Sequence, residues 1–179
     1  MGQDSTGAAR PSFFDRMSGL IDHIHHPMMR RALAMADAAA AMNEVPIGAI
    51  VTRGSEILAE AHNLREVNHD PTAHAELLAI RQAAEKLGSW RLDGCTVYVT
   101  LEPCAMCAGA MVLARIERCV FGCKDPKGGF CGTLGDLSSW PGLNHRFAIE
   151  GGVLADESSE RLQSFFRGLR QHRKSRSMS

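Results

Sequence analysis

The chain has 179 residues, 45% of them hydrophobic and 22% charged, with 20 basic residues against 20 acidic ones. That length and mix supply one domain with its own core and exclude an intrinsically disordered chain. The formal net charge of zero gives no overall attraction to nucleic acid, and no stretch is long or apolar enough to span a membrane.

Residues 1–10 are small and polar, and mobility is the expectation there. Phe13, Met17, Leu20, Ile21 and Ile24 then recur at helical spacing, with Ser12 as an N-cap, predicting a short helix over 12–24. Asp4, Asp15 and Asp22 interrupt this region, which fits neither a secretory signal nor a transit peptide, so a cytoplasmic location is expected. Pro27 suits the first turn of a second helix over 27–43. Strands are expected over 47–52 and 56–61, joined at Arg53-Gly54-Ser55 as a hairpin. An amphipathic helix over 73–87 stops at Gly88. The β-branched and aromatic run 95–101 is a buried strand. Residues 105–115 are apolar nearly all round, which makes them a buried helix. A short strand over 118–121, a glycine-rich loop over 125–137, a strand over 147–150 and a helix over 158–171 complete the order. Helices alternating with strands predict an α/β layered domain with a partly parallel sheet. The expected division is an N-terminal extension over 1–25, a single domain over 26–172 and a basic tail over 173–179.

The six cysteines are Cys95, Cys104, Cys107, Cys119, Cys123 and Cys131. A disulfide framework belongs to small secreted chains, and this one is too long and too apolar for it. Cys104 and Cys107 have ligand spacing, and the other four read as small buried hydrophobes. Cys104 and Cys107 sit three apart at the start of the 105–115 helix, so both sulfurs can reach one ion, and the helix N-terminus favours thiolate. His74 opens another helix. One imidazole and two thiolates make a three-ligand zinc site with a fourth position left for water, the mark of a catalytic rather than a structural zinc. Glu76, two residues from His74, can handle that water's protons without being a ligand. The chemistry implied is hydrolytic deamination of an amidine-like carbon, as in adenine or cytosine. Taken alone, Cys-x-x-Cys also fits a redox pair or half of a zinc knuckle, and a lone histidine at a helix start needs no ligand role. A redox pair leaves His74 and Glu76 unexplained, and the remaining cysteines are poorly spaced for a knuckle.

Beyond Glu160 the chain has no acidic residue and carries Arg161, Arg167, Arg170, Arg173, Lys174 and Arg176. Such a tail is either a solvated end or a surface for phosphates.

These motifs resemble the bacterial tRNA-specific adenosine deaminases of the cytidine-deaminase-like superfamily, whose signature joins His-x-Glu to Pro-Cys-x-x-Cys. The resemblance runs over about residues 27–171. It includes Glu44-Val45-Pro46-Ile47-Gly48-Ala49, Asp70-Pro71-Thr72-Ala73-His74-Ala75-Glu76 and the stretch from Thr100 to Met111. It also takes in Arg115-Ile116, Asp125, Asn144-His145-Arg146 and Phe165-Phe166-Arg167. The resemblance implies a three-layer α/β/α fold with a central mixed sheet of about five strands. It implies a zinc-dependent hydrolase that converts adenosine to inosine at the wobble position of tRNA anticodons. One zinc per subunit would be held by His74, Cys104 and Cys107, with Glu76 as the proton shuttle. Asn63 would hydrogen-bond the flipped adenine, Pro46 would line the pocket, and Asp125 would touch a ribose 2′-OH. Phe165, Phe166 and Arg167 would lie against the anticodon stem-loop of the tRNA partner, in a homodimer. On the residues alone, Asn63 also fits a turn after its strand, and Asp125 fits a loop cap before Pro126. A deaminase of free guanine or cytidine shares much of the zinc signature, and a zinc-stabilised RNA-binding module without catalysis is a third class. The first 25 residues are longer than the family's usual start, and Cys123 and Cys131 have no role in its pattern.

Overall fold

The computed structural model describes residues 13–177. The chain order is α1 (Phe13–Ala41), β1 (Gly48–Arg53), β2 (Glu56–His62), α2 (Ala75–Leu87), β3 (Cys95–Leu101), α3 (Ala105–Ala114), β4 (Arg118–Cys123), β5 (Ala148–Gly151) and α4 (Ala155–Ser177). The strands form one sheet in the order β2-β1-β3-β4-β5. β1 runs antiparallel to β2 and β3, whereas β3, β4 and β5 run parallel. Helices α1 and α4 cover one face, and α2 and α3 the other. This is the three-layer α/β/α fold with a mixed five-stranded sheet.

The central strands are apolar on both faces because both faces are covered. Along β1, β3 and β4 the side chains alternate between two cores. Ala49, Val51, Val97, Val99, Cys119 and Phe121 pack with α2 and α3. Ile50, Tyr98 and Val120 pack with Met29 and Ala32 of α1. The register keeps the two sets apart, with Val51 and Cys119 both beside Val97, and Ile50 and Val120 both beside Tyr98. A slip of one residue would exchange the two cores. Gly48 opens β1 where α1 passes closest, and a Cβ there would run into the Ala32 carbonyl oxygen. At the end of α2, Gly88 adopts the left-handed conformation (φ 63°), and the amides of Gly88 and Ser89 reach back to Glu85 and Ala84.

Two expectations about the helices need correction. The separate helices over 12–24 and 27–43 are one continuous helix, with Pro27 inside it. Proline removes one backbone donor but does not end the helix here. The segment before it is anchored by His25, which is buried, meets the Tyr98 hydroxyl at 2.9 Å through Nδ1, and lies 3.1 Å from a Glu150 oxygen through Nε2. The C-terminal helix extends beyond residue 171 to Ser177. The expected divisions at 25/26 and 172/173 therefore fall inside helices. The readings for residues 1–10 and for Ser12 lie outside the described residues. Among the described residues, no helix is long and apolar enough to cross a membrane.

Candidate active site

Two helix N-termini and one strand end build the site. His74 is the N-cap of α2, in extended conformation (φ −76°, ψ 147°). Asp70 sets it up: its Oδ1 accepts the Thr72 amide and the Thr72 hydroxyl, each at 2.7 Å, in a turn that delivers the chain to His74. These bonds, the hydroxyl's foremost, hold the Asp70 carboxyl below the usual carboxylate range. Cys104 is the N-cap of α3, also extended, and Cys107 lies one turn on and is fully buried. The antiparallel bridge between Cys104 and Gly129 and the Phe130 amide on the Pro103 carbonyl oxygen (2.8 Å) fix the entry to α3.

The ligating atoms of His74, Cys104 and Cys107 lie within 4.8 Å of one another. His74 Nδ1 is 3.8 Å from the Cys104 sulfur and 3.6 Å from the Cys107 sulfur. Ordinary zinc–sulfur and zinc–nitrogen bonds at tetrahedral angles put such atoms ~3.6 Å apart. The donor set and the two His74–sulfur spacings thus fit zinc. The electrostatics of the protein alone point the same way. Cys104 is pulled down to about 4, chiefly because the Cys107 thiol donates to it, with His74 assisting. Cys107 is pushed up as that donor and by burial. The hydrogen bond with Cys104 raises His74. A cation bound between the two sulfurs would take the place of the donated proton. Both helix N-termini add positive potential at the same point.

Glu76, in the first turn of α2, is 4% exposed and faces the same cavity. Burial is the main reason that its carboxyl is raised above the usual range. The cavity measures about 270 Å³ and is lined by Asn63, His74, Glu76, Cys104, Asp125 and Phe166, together with Val45, Ile47, Arg65, Leu101 and Glu102. That is at the small end for ligand pockets and suits one planar group. Asn63, buried directly after β2, therefore shares the cavity with the three-donor cluster. Pro46 is buried, and it is its neighbours Val45 and Ile47 that line the cavity.

Asp125 and Phe166 also line an adjoining groove of about 650 Å³ with Lys124, Lys127, Arg167 and Arg170. Phe165 meets Phe166 edge to face, with ring centroids 5.5 Å apart. Arg161, by contrast, is occupied by Asp37 at 2.7 Å, so it ties α4 to α1.

Two buried acids in this region drew no role from the sequence. Glu102, just before Pro103-Cys104, accepts the amides of Asp125 (3.1 Å), Cys131 (3.1 Å) and Thr133 (3.0 Å) and the Thr133 hydroxyl. It staples the 125–133 loop onto the end of β3. Glu44 accepts from Asn63 and Val67. The sequence signal for both was a lone acid set against an apolar strand, where an unpartnered charge would be costly. Cys131 contributes its amide to the Glu102 staple, while Cys123 donates weakly to the Thr100 carbonyl oxygen at 3.7 Å.

A family model described as MafB19-like deaminase matches residues 23–170. A tRNA-specific adenosine deaminase of Bacillus subtilis is 51% identical over 146 residues, covering 82% of this chain and 91% of that protein. One from Haemophilus influenzae is 45% identical over 148 residues, covering 82% and 86%. A solved structure from studies of A-to-I editing by tRNA:A34 deaminases at the wobble position matches with a TM-score of 0.73 at 42% identity, covering 75% of this chain and 98% of that one. A Bacillus subtilis guanine deaminase has the same fold at 28% identity and a TM-score of 0.55, covering 82% and 94%. The adenosine deaminases thus share about half of their residues with this chain over nearly their whole length, well above the guanine enzyme. On that ground the chain belongs to the family of tRNA-specific adenosine deaminases.

Proposed function

We propose that this protein hydrolyses the amino group of adenosine at the wobble position of a tRNA anticodon, giving inosine and ammonia, with one zinc per subunit held by His74, Cys104 and Cys107. The observation that carries this reading is continuity. Asp125 and Phe166 line both the small cavity beside the three-donor cluster and the basic groove outside it. A single base can enter the cavity while its flanking phosphates stay with Lys124, Lys127, Arg167 and Arg170.

When bound, zinc supplies a water acidified to a pKa of about 7 at the position its protein ligands leave open. Glu76 carries the first proton of the attacking water to the ring nitrogen beside the attacked carbon, and then the second, from the hydroxyl left on that carbon, to the departing amine, so that the water's two protons end on inosine and on ammonia. Its burial, which raises the carboxyl above the usual carboxylate range, suits a group that must both take and give a proton. Asn63 meets the base through its side-chain amide. Asp125 accepts a hydrogen bond from a ribose 2′-OH, a group that DNA lacks. Pro46 backs the wall formed by Val45 and Ile47. Phe165, Phe166 and Arg167 hold the anticodon loop, where an adenosine costs less to unstack than in a duplex. The catalytic unit is residues 26–172, and residues 173–179 add positive charge for phosphate.

The same reading makes the protein a homodimer. An apolar hollow of about 530 Å³ lies along α3 between Met106, Gly109, Leu113 and Leu143, and Leu113 is 73% exposed. A large aliphatic side chain standing in water beside such a hollow fits an interface. Leu113→Glu is expected to yield a folded monomer in sedimentation, and a wild-type protein that is already monomeric at micromolar concentration would remove the dimer.

The experiment for the main reading offers the protein an anticodon stem-loop with adenosine at the wobble position, the same stem-loop with that adenosine moved by one nucleotide, and free guanine, adenine and cytidine. Inosine is expected in the first alone. Turnover of a free base with none of the stem-loop would replace this reading with a nucleobase deaminase.

A further inference from the structure

Glu44 is fully buried, yet it lies outside the three-donor cluster and touches none of it. Asn43 adopts the left-handed conformation (φ 59°) after α1 and turns the chain, and the Glu44 amide closes that turn on the Ala39 carbonyl oxygen at 3.0 Å. This sends the Glu44 side chain inward. Its Oε2 accepts from Asn63 Nδ2 at 2.9 Å, and its Oε1 accepts from the Val67 amide at 2.8 Å. One carboxylate thus joins the turn after α1, the cavity-lining amide after β2 and the loop beyond it.

An interior staple does not call for a carboxylate. Burying one is costly, and a glutamine of the same shape is the less expensive choice. Beyond charge, the two differ in one property: an ionised carboxylate only accepts, on both oxygens. A side-chain amide facing it must present its NH₂ group, because the reversed amide would set oxygen against oxygen.

We propose that Glu44 is a positioning residue that fixes the orientation of the Asn63 amide and so sets which base the cavity accepts. With one N–H of Asn63 held by Glu44, the carbonyl oxygen and the second N–H remain for the base, in a fixed order. The oxygen suits the amino group of adenine and the N–H suits a neighbouring ring nitrogen, the pairing by which asparagine ordinarily reads adenine. The reversed amide would oppose donor to donor and acceptor to acceptor. The bond from Val67 locks the carboxylate itself, so the order cannot relax by rotation of Glu44. The inference rests on the reading that Asn63 meets the base.

Glu44→Gln, Asn63→Ala and the double variant test it, assayed on the stem-loop with adenosine at the wobble position. Glu44→Gln keeps the shape but lets the amide turn over. It is expected to lower kcat/KM at least tenfold in the wild-type background and less than twofold once Asn63 is alanine, with zinc content and circular dichroism unchanged. An equal loss in both backgrounds, or no loss in either, overturns the positioning role. A harmless Asn63→Ala instead removes the base contact on which the inference stands, a separate result. NMR of the wild-type protein gives a reading independent of any variant's folding. One Asn63 side-chain amide proton should be protected from solvent exchange and show a cross-peak to the Val67 amide proton. A freely exchanging, averaged NH₂ group overturns the proposal.

Discussion

Glu76 is the side chain on which the proposed chemistry turns, and burial tunes it. A carboxyl whose folded pKa is raised contributes stability fully below its unfolded pKa and loses it as pH rises through the folded value. Glu76→Gln removes that loss. The metal-stripped variant is therefore expected to melt at a higher temperature than metal-stripped wild type at neutral pH. The difference should shrink as pH falls below the usual carboxylate range, where both side chains are neutral. With zinc restored, the same variant is expected to retain the metal while kcat on the stem-loop falls by about 10²- to 10⁴-fold, the usual share of general acid–base catalysis. Near-normal turnover would remove Glu76 from the proton path. His74→Ala and Cys107→Ala are expected to differ from it in kind. They should lose zinc in elemental analysis and melt at lower temperature, because metal binding and folding are coupled. The clustering of His74, Cys104 and Cys107 was legible because metal-ligand chemistry restricts such a set to a few side chains at close spacing. Glu44 and Glu102 were not, because their partners are backbone amides, one asparagine and one threonine hydroxyl, contacts that leave no mark in spacing.

Helix ends and strand ends carry the three-donor cluster, Glu76 and Asn63, while Phe166 comes from the middle of α4. α2 and α3 aim their N-termini at one point, and Glu102 at the end of β3 secures the loop that bears Asp125. This arrangement depends on how closely α1 lies on β1. Gly48→Ala is expected to destabilise the fold by about 2 kcal/mol, the usual cost of overpacking, in urea unfolding, since the neighbouring Ala32 backbone has no room to give. Unchanged stability would show that α1 can shift without cost. The strands were legible from β-branched runs, and α2 from its period and from Gly88. The continuity of α1 was not. Pro27 reads as a start by local rules, and what carries the helix through is contact between His25 and residues 73 and 125 positions away. The length of α4 was likewise hidden, because its last turns carry charge and no apolar period. Asn63 and Asp125 sit at ends of elements, where sequence alone allowed a turn or a cap as well as a base or ribose contact.

The formal net charge of zero conceals a directional surface. Lys124, Lys127, Arg167 and Arg170 gather beside the cavity, whereas Arg30, Arg31 and Arg161 are paired with Glu157, Glu60 and Asp37. Composition averaged over the chain could not reveal this, since it weighs paired and unpaired charges alike. Arg170→Ala is expected to weaken stem-loop binding and to reduce the slope of log affinity against log salt by about one, with turnover at saturating RNA nearly unchanged. An unaltered slope would take Arg170 off the phosphate path. The proposed reaction requires that a zinc held by His74, Cys104 and Cys107 serve the deamination of one adenosine in an RNA loop. Inosine formation at the wobble position should be followed with the protein as purified, after chelation, and after zinc is returned. Formation, loss and recovery are expected in step with one zinc per subunit. Equal inosine formation by the metal-free protein would contradict that requirement.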